Sequence, residues 1–114
     1  MTIYPIYPDT DTEFPQCKFV GGIYLHGDLQ DTVGYDLIQV DKSEYEKFKD
    51  MSDGVYDVDV IFRDGCSTSS VLFFWKICND ICNIVNFRGL VVSKTDKESI
   101  MDASKKFKER REWL

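Results

Sequence analysis

One histidine, four cysteines and two aspartates a single residue apart are the groups in this chain whose types and spacing could do chemistry. A Ser–His or Cys–His mechanism would have to use His26. That residue stands in His26-Gly27-Asp28, with neither a nucleophile elbow nor a cysteine-protease signature around it. It reads as a histidine at the end of a strand.

Cys78 and Cys82 stand four apart. Zinc sites pair cysteines at such spacings and then add a second pair or histidines. Here Cys17 and Cys66 are scattered and His26 is alone, so no metal is expected. Cys78 and Cys82 read as small buried hydrophobes on a helix. Cys66 follows a turn beside Arg63 and reads as an incidental loop thiol, with an exposed, mildly reactive thiol as the alternative.

The glycines make neither a dinucleotide fingerprint nor a phosphate loop, and Asp28 to Asp31 lacks calcium-loop spacing. No cofactor is expected. Asp57 and Asp59 alternate with apolar residues, so both point the same way on a strand, about 6 to 7 Å apart. Paired carboxylates at that distance can hydrolyse glycosides, but no aromatic platform for a sugar accompanies them. No catalytic constellation emerges, and the chain does not read as an enzyme.

Charge is the stronger signal. The chain has 114 residues, a net charge of −6 and a sequence pI near 4.7. That balance argues against nucleic-acid or anionic-membrane surfaces, which need basic patches. Residues 1–64 carry fourteen Asp and Glu against five Lys and Arg, net −9, whereas residues 65–114 carry six against nine, net +3. Clustered carboxylates repel one another, and complementary charge steers association. The expected partner surface is Asp28, Asp31, Asp36, Asp57 and Asp59 with Tyr35. Tyr24 and Tyr56 are further aromatic anchors. Asp41, Asp50 and Asp53 belong to the same acidic half.

The elements that must position these residues follow from pattern. With 43% hydrophobic and 30% charged residues, a chain of this length fits one domain with a real core. Residues 1–16 hold all three prolines, Pro5, Pro8 and Pro15, and read as an extended N-terminal arm. Residues 17–114 read as one α+β domain. Lys18 to His26 is a strand with a bulge at Gly21-Gly22, and Tyr35 to Val40 is its antiparallel return. Ser43 and Glu46 form a capping box for a helix to about Met51, with Tyr45, Phe48 and Met51 facing the core. Val55 to Phe62 alternates strictly and is the clearest strand, with Tyr56, Val58, Val60 and Phe62 on its dry face.

From Ser70 to Phe87 the polar residues Lys76, Asn79, Asp80, Asn83 and Asn86 recur at helical steps. This predicts a central buried helix ended by Gly89. A competing pattern makes Thr68 to Trp75 the return strand of a hairpin turned at Asp64-Gly65, because VLFFW is rich in β-branched and aromatic residues. Leu90 to Ser93 is a short strand. Thr95 with Glu98 caps a last helix from Asp96 to about Trp113, with Ile100, Ala103, Phe107 and Leu114 inward. The expected order is β-β-α-β-α-β-α, a mixed or antiparallel sheet with helices mainly on one face.

The start has neither a basic region nor an apolar core of the export type, and the longest apolar cluster is broken by Lys76, Asn79, Asp80 and Asn83. The expectation is a cytoplasmic protein with reduced thiols. No family motif is matched residue by residue. The functional expectation is a small acidic protein-binding module: an inhibitor of a basic partner, as an immunity or antitoxin protein neutralises a nuclease toxin. The rivals are a nucleic-acid-mimicking, phage-type inhibitor, a small enzyme whose site carries no known signature, and a structural subunit whose apolar surface completes a larger assembly.

Overall fold

Alternation along residues 54–61 and an unbroken apolar run along residues 71–75 sit on neighbouring strands, and the coverage of each strand explains its pattern. The computed structural model describes residues 1–5, 17–19, 23–26, 38–41, 47–48, 50–79 and 84–109. They form seven strands: β1 (Thr2–Pro5), β2 (Cys17–Phe19), β3 (Ile23–His26), β4 (Ile38–Asp41), β5 (Gly54–Ile61), β6 (Ser67–Asn79) and β7 (Ile84–Ser93). One helix follows, α1 (Lys97–Glu109). The strands make one sheet in the order β2-β4-β1-β5-β6-β7-β3. It is mixed: β1–β5 and β3–β7 are parallel, and the other neighbours are antiparallel. The fold is a small single-domain α+β fold.

The sheet cannot be flat. β2 and β3 form its opposite edges, yet only three residues separate Phe19 from Ile23. Four residue steps span at most about 14 Å, whereas the edges of a flat seven-stranded sheet lie about 29 Å apart. The sheet therefore curls until its edges approach, and one surface becomes an interior. The single strand expected over Lys18 to His26 is in fact two, the first paired with β4 and the second with β7.

That interior is the main core. Ile3, Ile38, Val40, Val58, Val60, Leu72, Phe74 and Val91 line it, joined by Phe48. Lys47, Phe48 and Asp50 are helical, within the helix expected from Ser43, and Phe48 is fully buried. Its ring meets Phe74 edge-on at 5.7 Å, and Phe87 packs against both. Tyr56 closes the same cluster, its ring 6.3 Å from Phe74 and its hydroxyl donating to the Ser52 carbonyl at 2.6 Å.

A second core lies on the outer surface, where α1 covers β6 and β7. Ala103 is buried there against Phe73, Leu90 and Val92, with Val71, Ile100 and Phe107 at its margins. Phe107 stacks obliquely on Phe73 and on Trp75. Strand β6 thus buries Leu72 and Phe74 inward and Phe73 and Trp75 outward.

This corrects the helix expected over Ser70 to Phe87. Its described residues, 70–79 and 84–87, lie in the two arms of an antiparallel ribbon, paired from Ser70↔Ser93 to Asn79↔Ile84. A strand covered on both faces loses its alternation and reads as a continuous apolar run, which resembles a buried helix when polar residues also fall at three- and four-residue steps. The competing hairpin pattern describes the chain. Gly89 does not cap a helix; it is buried in β7 opposite Phe74. The turn itself is Arg63-Asp64-Gly65: the Gly65 N–H donates to the Phe62 carbonyl, and Gly65 has φ +89°. That left-handed position closes a three-residue hairpin loop and suits glycine.

Two further expectations change. The N-terminal arm begins as an interior strand, since β1 lies between β4 and β5 with Ile3 fully buried; residues 6–16 lie outside the described residues. The helices do not share a face, because Phe48 packs inside the curl and α1 outside it. α1 starts one residue later than expected and is capped by Asp96, whose carboxylate accepts from the Ser99 N–H at 3.1 Å and from its hydroxyl. Thr95 instead bonds Ser93. Ile100, Ala103 and Phe107 face the sheet as expected, and residues 110–114 lie outside the described residues.

Candidate functional site

Strand alternation places Val55, Asp57, Asp59 and Ile61 on the outer surface of β5, opposite Val58 and Val60 in the core. α1 covers the outer surface of β6 and β7 and leaves that of β5 open. Asp57 and Asp59 are both exposed there, and the Asp57 side chain is 82% exposed. Val55 beside them is 54% exposed.

A cation comes to this face from the other half of the chain. Lys94 directly follows β7, and its N–H donates to the Ser69 carbonyl at 3.3 Å. This draws the turn before α1 back over the start of β6. From there Lys94 Nζ reaches Asp57 Oδ1 at 2.9 Å. The Ser69 hydroxyl reaches Asp59 Oδ1 at 3.5 Å, the far limit of a hydrogen bond. The face is therefore two carboxylates, one of them paired to a solvated lysine. Nothing in the sequence pattern marked Lys94, because only the strand register sets it beside Asp57.

Asp28, Asp31, Asp36 and Tyr35 lie outside the described residues. Of the expected partner surface, Asp57 and Asp59 are placed, together and outward. Tyr56 is half-buried, its ring against Phe74 and its hydroxyl donating to the Ser52 carbonyl. Asp53 serves the fold as well: its carboxylate accepts the Lys76 N–H at 3.0 Å where β5 begins.

Among the described residues, His26 and Cys66 are not brought together. His26 stands in register with Val92, which stands opposite Val71. Cys66 lies in the β5–β6 turn, five residues along the chain from Val71, a distance of about 17 Å at strand rise. The register therefore keeps the two positions well apart. Cys78 lies in β6 and not on a helix, so its four-residue relation to Cys82 does not put the two on one helical face; Cys82 lies outside the described residues. No group of three or more His, Cys, Asp or Glu that could hold a metal occurs among the described residues.

Cys66 is an exposed free thiol, as its turn position implied. Its chemistry is set by Asp64 and not by Arg63. A side-chain hydrogen bond to Asp64, together with that carboxylate's charge, pushes the thiol above its ordinary value. The Asp64 carboxylate also accepts the Cys66 N–H at 2.9 Å. A carboxylate disfavours the thiolate, the reactive form, which favours the incidental loop thiol over the mildly reactive one.

Among the described residues no helix is long and apolar enough to cross a membrane. No family model matches this chain, and neither a curated protein nor a solved structure matches it significantly.

Proposed function

We propose that this chain is a small acidic protein-binding module that docks a basic protein partner, acting as an inhibitor in the manner of an immunity or antitoxin protein that occludes a nuclease. The observation that carries the reading is the open outer surface of β5, where Asp57 and Asp59 stand exposed beside a half-exposed valine. Carboxylates on an uncovered strand steer a cationic surface toward it, and an apolar residue among them gives contact once water leaves. Lys94 shields one of the two charges, so the face is tuned as well as acidic.

The test begins with capture of the partner from the native source and its identification by mass spectrometry. Association kinetics follow at two salt concentrations with the Asp57→Asn/Asp59→Asn variant. Steering by exposed charge is screened within about 8 Å at physiological ionic strength, so salt should slow association more than it speeds dissociation. The double variant should weaken binding by about 1 to 3 kcal/mol if the pair is central to the interface. Unchanged rates in a normally folded double variant remove this face from the interface. Rates indifferent to salt remove charge-driven binding altogether. If the captured partner proves to bind DNA or RNA and nucleic acid competes with this chain for it, the inhibitor acts as a nucleic-acid mimic.

A further inference from the structure

We draw no further inference here: the strongest candidate, the far end of the β6–β7 ribbon at residues 77–79 and 84–86, runs past the registers of β5 and β3, and nothing in the structure shows what covers it.

Discussion

Strands β5 and β6 are hydrogen-bonded neighbours over eight residue pairs, yet they differ in what lies outside them. β5 has the core on one side and water on the other, so its residues alternate from Asp57 to Val60. β6 has the core on one side and α1 on the other, so Leu72, Phe73, Phe74 and Trp75 are all buried. The same backbone geometry produces two sequence patterns, and the difference is made by a helix more than twenty residues downstream. Pattern therefore reports how a segment is covered before it reports its conformation.

The comparison can be broken most forcefully at Phe74. Its ring meets Phe48, Tyr56 and Phe87 inside the curl, and Phe74→Ala should cost about 3 to 5 kcal/mol by denaturant unfolding. An unchanged midpoint would mean that the interior does not close on this strand. The outer layer is thinner. Phe107 is only partly buried against Phe73 and Trp75, so Phe107→Ala should lose roughly 1 to 2 kcal/mol. A loss equal to that of Phe74→Ala would make the two faces of β6 equivalent. Asp96→Ala removes the cap that holds α1 against that face and should cost about 1 kcal/mol. Circular dichroism should show the helix fraying first.

On β5 the stability effects should nearly vanish. Asp57→Asn/Asp59→Asn keeps shape on an open face, and its unfolding free energy should stay within about 0.5 kcal/mol of the parent. A large loss would show that the Lys94 pairing is structural. The smallest effect concerns Cys66. Because its folded value is raised, the thiol holds its proton to higher pH than a free cysteine. Iodoacetamide should therefore alkylate it slowly near pH 8, and Asp64→Asn should quicken the reaction. An Asp64→Asn variant with the parent's pH profile would detach the thiol from that carboxylate.

What could be read beforehand follows the same physics. Val58 and Val60 inward, Asp57 and Asp59 outward, the Asp64-Gly65 turn and the inner face of α1 at Ile100, Ala103 and Phe107 were all legible, because each depends on local geometry or on one wet face. Over residues 70–87 the strand was legible only as the weaker of two patterns, since burial on both faces of residues 72–75 erased the period of two and left β-branched and aromatic content as its one mark. The division of Lys18 to His26 between opposite edges was also hidden: a change of pairing partner leaves no mark on the residues themselves. Of the site, the two aspartates were visible by alternation. Lys94 was invisible because a register 37 residues apart, Asp57 to Lys94, has no local signature.

The position of β1 has a consequence for synthesis on the ribosome. Among the described strands Thr2–Pro5 is made before the others, yet it fills the middle of the sheet, with Ile3 between Val40 and Val60. It must wait unpaired until β4 emerges, and longer until β5 does. Only then can β2 and β4 be joined to the rest of the sheet along their shared seam. Contacts so distant in sequence slow folding, and a nascent chain holds this segment open for a chaperone or a rival strand during that interval. The short strand that joins the two halves of the sheet thus completes its pairing only 57 residues after it is made, from Thr2 to Asp59.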